Sequence, residues 1–205
     1  MGLLSPPANM SVITISRQLG TQGLAVARQT AEALGYRLYW RDIINQAAIR
    51  AGAPEIALAF IDELNLLDIC PSPKDCEAYH TTVSQIMQAI AREGQAVILG
   101  RAGQVILSDW PGSVHVRLMA PAAMRSQTIA AQQNISMAAA QAQIETSDRY
   151  RQTYLERFYH VAWDDPCLYD LILNVGNLSV DQTTDIILHA YKILSNRAGV
   201  PGEAF

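Results

Sequence analysis

The chain has 205 residues, half of them hydrophobic, and a formal net charge of −4. This is enough apolar chain for one well-buried core with a mobile subdomain. The basic residues are spread along the sequence, which disfavours a broad nucleic-acid or membrane footprint. Only two of the 15 basic residues are lysines, Lys74 and Lys192, so a site that needs positive charge must use arginine.

The three cysteines form no C-x-x-C pair, which argues against a disulfide framework or a zinc site. Free thiols of this kind are typical of a reducing cytoplasm, and we expect a cytoplasmic location. No apolar run reaches the roughly 18 residues of a membrane span. Residues 1–10 do not resemble a signal peptide. Residues 1–10 and 196–205 are expected to be loose tails on either side of a single domain at 11–195.

The first element is an alternating, β-branched strand at residues 11–16. A loop with Gly20 and Gly23 follows, and a helix at 24–34 ends at Gly35. A strand, a glycine-bearing loop and a helix in this order place backbone N–H groups and a helix N-terminus around a phosphate. A complete P-loop reads G-x-x-x-x-G-K-[ST], and this loop lacks the lysine and the hydroxyl residue after it.

The rest of the chain alternates between strand and helix patterns. In chain order we predict a strand at 36–39, helices at 42–51 and 55–66, a loop at Pro71 and Pro73, a helix at 79–92, a strand at 95–99, a turn at 100–103 with a short helix after it, a strand at 114–119, a helical region at 122–159 broken at 134–136, a strand at 169–174 and a helix at 180–194. This alternation implies parallel strands joined by right-handed crossovers, in a three-layer α/β domain. Ligands of such sheets bind at the carboxyl ends of the strands.

Five collinear segments resemble motifs of the cytidylate-kinase-like family, a divergent branch of the P-loop nucleoside monophosphate kinases. Residues 15–23, Ile-Ser-Arg-Gln-Leu-Gly-Thr-Gln-Gly, resemble that family's I-S-R-Q-x-G-S-G-G. The other matches lie at 35–48, 97–107, 114–125 and 163–175, the last resembling W-x-D-P-x-x-Y-D-L-V-L-N-T. The resemblance implies an adenylate-kinase-type P-loop NTPase-like fold with a five-stranded parallel sheet. It also implies a helical acceptor-side insert at about 41–93 and a lid at about 134–165.

The resemblance further implies transfer of the γ-phosphoryl group of ATP to CMP or a related nucleotide acceptor, with Mg²⁺. In such a transfer the protein mainly positions phosphates and neutralises their charge. Arg17 is the cation nearest to the lysine-free loop, so we predict a phosphate role for it. The predicted phosphate- and ATP-binding residues are Ser16, Arg17, Gln18, Gly20, Thr21, Gln22, Gly23 and Arg125. The predicted acceptor-binding residues are Arg41, Asp42 and Arg101, and the predicted catalytic lid arginines are Arg149 and Arg151. No Mg²⁺ ligand can be identified, unless the hydroxyl of Thr21 or Ser16 serves.

The sequence departs from the family pattern at Gln22, where glycine is usual, and at Trp40, where aspartate is usual. Gly23 and Leu24 fall where a P-loop lysine and the residue after it would lie. These departures favour a second hypothesis, a non-catalytic nucleotide-binding protein that acts as a sensor or partner-binding module. A dinucleotide-binding Rossmann domain fits worst, because no G-x-G-x-x-G follows the first strand and no acidic residue ends the second.

Several candidate residues also have a plain structural interpretation. Gly20 and Gly23 suit an ordinary strand-to-helix turn, and Arg101 suits a structural ion pair. The arginines at 149 and 151 suit a solvated helix face, and Asp42 suits a charge at a helix N-terminus. The four histidines are scattered without metal-ligand spacing and are expected to be structural.

Overall fold

Five parallel strands form the centre of the structure, a computed structural model that describes residues 11–40, 43 and 73–195. The strands are β1 (Val12–Arg17), β2 (Arg37–Tyr39), β3 (Ala96–Leu99), β4 (Ser113–Met119) and β5 (Leu171–Asn174). Their order across the sheet is β2-β3-β1-β4-β5, and every pairing is parallel. With helices on both faces, this confirms the predicted three-layer P-loop NTPase-like fold.

The helices follow the strands as the periodicity predicts. Those described are α1 (Gly23–Leu34), α2 (Pro73–Glu93), α3 (Gly103–Ile106), α4 (Ala122–Gln133), α5 (Met137–Tyr159) and α6 (Val180–Ser195). Single 3₁₀ turns lie at Pro166–Leu168 and Val175–Asn177. The predicted break at 134–136 is confirmed. Asn134 ends α4 at a φ of 54°, and the Ser136 hydroxyl caps α5 by accepting from the Ala139 N–H.

One predicted boundary is wrong. The loop expected at Pro73 is the start of α2, because the first turn of a helix tolerates proline, whose missing N–H would have no intrahelical partner there. The helices predicted at 42–51 and 55–66, most of the acceptor-side insert and both tails lie outside the described residues.

β1 lies at the centre of the sheet because both of its edges are paired, one with β3 and one with β4. Ile13 and Ile15 pack into the core formed with α1 and α6, whereas Val12 packs into the core formed with α2. The connections that leave β1 and β3 run to opposite sides of the sheet, towards β2 and β4 respectively. The crevice between the carboxyl ends of β1 and β3 is therefore the topological switch point, where ligands of open α/β sheets bind.

Candidate functional site

The loop between β1 and α1 lies where the sequence predicts a phosphate loop, and we refer to it by that name. Gly20 has a φ of 88°, and a Cβ built there would lie 2.8 Å from the Arg125 carbonyl oxygen. The Thr21 side chain is buried, and its hydroxyl donates to the Gln18 carbonyl at 2.8 Å. Gln22 precedes α1 at a φ of 57°, and its exposed side chain makes no capping hydrogen bond. The position of Gln22 therefore favours glycine, which the sequence lacks there.

The Arg17 side chain crosses the front of this loop. Its aliphatic stem lies so close to Gly23 that an added Cβ would be 2.7 Å from the Arg17 Cγ. Its guanidinium reaches the turn after β3, where a Cβ on Gly100 would collide with Nη1. Gly23 and Gly100 thus leave the space that the Arg17 side chain fills.

The turn after β3 carries a second arginine on an unusual backbone. Gly100, Arg101 and Ala102 all have positive φ, at 79°, 60° and 56°. Left-handed non-glycine residues cost free energy, and such strain is concentrated at functional sites. Gly103 follows, close against the β1 residue Thr14, whose Cγ2 would lie 3.1 Å from an added Cβ.

A cavity of about 70 Å³ opens at the switch point, between the end of β1, the turn after β3 and α5. Its cationic lining residues are Arg17, Arg101 and Arg151, and no aspartate or glutamate occurs among the lining residues that the structure describes. The remaining lining residues are Ser16, Gly100, Ala102, Gln104, Tyr150, Tyr154, Leu155 and Trp163. Three guanidinium groups lining one cavity give it a cationic surface that suits phosphate.

Trp163 forms the wall of the cavity nearest to β1. Its indole Nε1 donates to the Ser16 hydroxyl at 3.0 Å, and its side chain is only 5% exposed. From the β4 side, the buried Arg117 guanidinium lies 4.3 Å from the centre of the indole ring. Arg117 Nη1 and the Tyr169 hydroxyl both donate to the Trp163 carbonyl. Several partners therefore fix Trp163.

Arg125 joins the phosphate loop to α5. Its buried guanidinium donates to the Ala120 carbonyl at 3.0 Å and to the Leu19 carbonyl at 3.3 Å, and it pairs with the Asp148 carboxylate at 2.9 Å. Gln18 bridges the same groups, since it accepts from the Ala120 N–H and donates to Asp148. This network stabilises the loop, and Arg125 is absent from the lining of the cavity.

The structure thus brings together four of the predicted site residues in the cavity: Ser16, Arg17, Arg101 and Arg151. Six others form the loop or its support: Gln18, Gly20, Thr21, Gln22, Gly23 and Arg125. Arg149 is exposed, and its Nη2 lies 3.5 Å from the Thr146 hydroxyl. Arg41 and Asp42 lie outside the described residues.

Four polar or aromatic lining residues were not predicted from the sequence: Gln104, Tyr150, Tyr154 and Trp163. Gln104 and Trp163 had a signal, since they lie within the family-like matches at 97–107 and 163–175. Trp40, a departure from the family pattern, is half buried and packs against the core around Ile13.

Two histidines outside the lining of the cavity have a lowered pKa, which favours their neutral form. His80 of α2 stacks on Phe158 of α5 with ring centroids 3.9 Å apart, and burial lowers the pKa of His80 to about 4. His115 of β4 lies 2.7 Å from the Thr14 hydroxyl through Nδ1 and 3.2 Å from the Leu107 carbonyl through Nε2. Burial lowers the pKa of His115, although the nearby charge of Asp170 and the hydrogen bond to the Leu107 carbonyl act to raise it.

The described residues do not form a site for Mg²⁺, which proteins usually bind through carboxylates together with substrate phosphates. No group of three or more potential metal ligands occurs among them. Of the two candidate hydroxyls, that of Thr21 donates within the loop and that of Ser16 accepts from Trp163. Nor is any described helix long and apolar enough to cross a membrane.

Comparison with known proteins gives one family and several remote relatives. The model of the cytidylate kinase-like family matches residues 12–177. A uronate isomerase from Corynebacterium glutamicum is 22% identical over 151 residues, which are 74% of this chain and only 29% of that protein. A cytidylate kinase from Staphylothermus marinus is 25% identical over 178 residues, 87% of this chain and 94% of that kinase.

Solved structures share the fold. An uncharacterized protein from Eubacterium ventriosum superposes with a TM-score of 0.71 at 20% identity, covering 90% of this chain and 99% of that one. A shikimate kinase from Acinetobacter baumannii, solved in complex with shikimate, superposes with a TM-score of 0.53 at 15% identity, covering 91% of this chain and 94% of that one.

Proposed function

Because this chain belongs to the cytidylate kinase-like family, we propose that it is a nucleotide-kinase-like phosphotransferase that moves the γ-phosphoryl group of ATP to CMP or a related nucleoside monophosphate. The observation that supports this most is the cavity at the switch point, which Arg17, Arg101 and Arg151 all line. Phosphoryl transfer needs its charged oxygens positioned and neutralised more than it needs covalent chemistry from the protein.

The three arginines come from three separate parts of the fold. Arg17 ends β1, Arg101 follows β3 and Arg151 lies on α5, the helix of the predicted lid. A phosphate that contacted all three would hold α5 against the edge of the sheet. Closure of this kind excludes water from the transferred group and aligns the reacting atoms.

Arg17 offers this loop a cation in place of the missing lysine. Its stem lies against Gly23, where the P-loop lysine would stand, and its guanidinium faces the same cavity as Arg101. A guanidinium can donate two parallel hydrogen bonds to one phosphate, which a lysine cannot. The family resemblance implies that ATP binds together with Mg²⁺. The described residues include no group of metal ligands, so we assign no catalytic step to a metal.

An assay of the purified full chain tests the proposal. ADP formation is measured with ATP, Mg²⁺ and each of CMP, UMP, dCMP and AMP. We expect turnover with a pyrimidine monophosphate, and Arg101→Ala or Arg151→Ala should lower kcat/KM about 10²-fold to 10³-fold. Arg28→Ala is the control, because Arg28 lies exposed on α1 and should leave turnover unchanged.

The same assay, combined with calorimetry, distinguishes this proposal from a second candidate function. Gln22, a non-glycine residue at a φ of 57°, favours a non-catalytic nucleotide-binding protein. Nucleotide binding by calorimetry with no ADP formed from any acceptor would support that alternative and overturn the transfer reaction. An absence of all nucleotide binding would overturn both.

A further inference from the structure

We infer that Trp163 is a positioning residue that fixes the Ser16 hydroxyl as a hydrogen-bond donor to a phosphate oxygen in the cavity. The inference rests on the proposed function for the identity of the ligand, but its geometry is independent of turnover. Ser16 is 6% exposed, lies at the end of β1 and lines the cavity beside Arg17.

The direction of the hydrogen bond is fixed by chemistry. An indole Nε1–H can only donate, whereas a serine hydroxyl can both donate and accept. At 3.0 Å the Ser16 Oγ must therefore accept from Trp163. The hydroxyl hydrogen of Ser16 then points away from the indole and is available to the cavity that Ser16 lines.

An anionic oxygen is the acceptor that such a donor needs. The surrounding lining residues Arg17, Arg101 and Arg151 already favour a phosphate, and hydrogen bonds to ionised oxygens are stronger than neutral ones. The hydroxyl adds a short, uncharged donor at the base of the three guanidinium groups. It therefore favours ligands whose phosphate oxygen can approach the end of β1.

Trp163 is held rigidly enough to act in this way. Arg117 packs against one face of the Trp163 indole, with its guanidinium carbon 4.3 Å from the ring centre. The guanidinium carbon of Arg151 lies 5.9 Å from the centre of the same ring. The Trp163 carbonyl accepts from both Arg117 and Tyr169. The buried charge of Arg117 thus serves to fix the orientation of the indole, which in turn orients Ser16.

A double-mutant cycle tests the coupling, because interaction energies between residues acting as one unit are non-additive. Binding of inorganic pyrophosphate and of ATP to the full chain is measured by calorimetry for wild type, Ser16→Ala, Trp163→Phe and Ser16→Ala/Trp163→Phe. We expect Ser16→Ala to weaken pyrophosphate binding about tenfold and Trp163→Phe to weaken it about threefold or more. The double variant should match Ser16→Ala. Additive losses, or an unchanged affinity in Trp163→Phe, would overturn the inference.

Trp110→Phe is the matched control. The Trp110 Nε1 is buried and has no hydrogen-bond partner in the described part of the chain, so the same substitution there removes an indole N–H without touching the cavity. Pyrophosphate affinity should be unchanged in this variant. An equal loss in Trp110→Phe would show a general effect of tryptophan replacement and contradict the assignment.

Nuclear magnetic resonance keeps the inference testable if Trp163→Phe does not fold. The indole N–H resonance of Trp163 is assigned by elimination with Trp40→Phe and Trp110→Phe. It should shift when pyrophosphate binds wild type and should lie elsewhere in Ser16→Ala. An indole signal that responds to neither change would overturn the inference.

The outcomes also separate this inference from the proposed reaction. Coupled pyrophosphate binding without ADP formation would leave the role of Trp163 standing and overturn the transfer reaction. Turnover with additive variants would overturn the role of Trp163 alone. A wild-type chain that binds neither pyrophosphate nor ATP would overturn the positioning role as well.

Discussion

At the scale of single residues, Gly20 and Gly35 share a left-handed backbone but differ in their surroundings. Their φ values are 88° and 66°. A Cβ on Gly20 would lie within 2.9 Å of the Arg125 backbone, whereas a Cβ on Gly35 would meet nothing within 4 Å. The phosphate loop therefore depends on Gly20 for space as well as for conformation.

Gly20→Ala should accordingly cost far more than Gly35→Ala. Both variants should lose about 1 kcal/mol of unfolding free energy, because alanine is disfavoured at a positive φ. Only Gly20→Ala adds an overpacking cost of roughly 1–3 kcal/mol. Urea unfolding at neutral pH measures the two losses. Equal losses would mean that the loop moves away from Arg125 without cost.

Gln22→Gly should act in the opposite direction. Gln22 is exposed at a φ of 57°, so glycine relieves strain of about 1 kcal/mol, partly offset by the entropy of the unfolded chain. We expect unfolding free energy to rise by roughly 0.5 kcal/mol and ATP affinity, measured by calorimetry, to rise with it. Arg28→Gly in the exposed interior of α1 is the control and should lose about 1 kcal/mol. Unchanged ATP affinity in Gln22→Gly would count against a phosphate loop weakened by its glutamine.

Some residues of the candidate site can be predicted from the sequence and others cannot. The glycines at 20, 23 and 100 could be identified because they punctuate regular elements. Arg117 and the cavity-facing role of Trp163 could not, because the first lies within an apolar strand pattern and the second between a predicted helix and a predicted strand. The role we infer for them depends on a hydrogen bond and a stacking contact between residues 46 positions apart, which no local pattern encodes.

At the scale of elements, the network around Arg125 connects α4, the phosphate loop and α5. Arg125 is 6% exposed and has the Asp148 carboxylate as its ionic partner, and one oxygen of Asp148 is buried without a hydrogen bond to any described residue. Removing one member of a buried ion pair is costly, because it leaves a desolvated charge behind.

Asp148→Asn should therefore destabilise the chain and loosen the loop together. We expect a loss of about 1–3 kcal/mol, at the low end because Asp148 is 24% exposed. Hydrogen exchange of the amides at 18–22 should become faster. Asp109→Asn, on an exposed turn, is the control and should be neutral within about 0.5 kcal/mol. A neutral Asp148→Asn would show that the ion pair does not stabilise the loop.

Element positions were the easiest part to predict from the sequence. Periodicity and glycine stops located every described strand and helix, including the break between α4 and α5. The start of α2 at Pro73 was missed, because a proline in the first turn of a helix looks the same in sequence as one in a loop. The sequence also could not show that α5 would bring Tyr150 and Tyr154 as well as Arg151 into the cavity.

At the scale of the whole molecule, two neutral histidines lie where separate parts of the fold meet. His80 joins α2 to the aromatic side chains of α5, with its Nδ1 3.2 Å from the Tyr154 hydroxyl. His115 joins β4 to Thr14 on β1 and to the Leu107 carbonyl. A proton on either ring would place a charge among groups arranged for a neutral imidazole.

Stability should consequently fall in mild acid. Burial lowers the pKa of His80 to about 4 and also lowers that of His115, whereas both rings titrate near 6.5 in the unfolded chain. Below pH 6.5 the unfolded state therefore binds more protons than the folded state, so unfolding free energy decreases as pH falls towards 4. The contribution of His80 is complete above pH 6.5 and is lost by about pH 4. Urea unfolding at pH 7.5, 6.5, 5.5 and 4.5 measures it.

His80→Phe isolates this contribution from that of the carboxylates, because phenylalanine keeps the stacking on Phe158 and cannot be protonated. The loss of unfolding free energy between pH 7.5 and 4.5 should be smaller in His80→Phe than in wild type by roughly 2 kcal/mol. His189→Gln, on the exposed face of α6, should retain the wild-type pH profile. Parallel profiles for wild type and His80→Phe would mean that α2 and α5 separate, or that the ring gains a partner, before the histidine is protonated. Because α5 carries Arg151 into the cavity, the same acid range should also weaken pyrophosphate binding in wild type more than in His80→Phe.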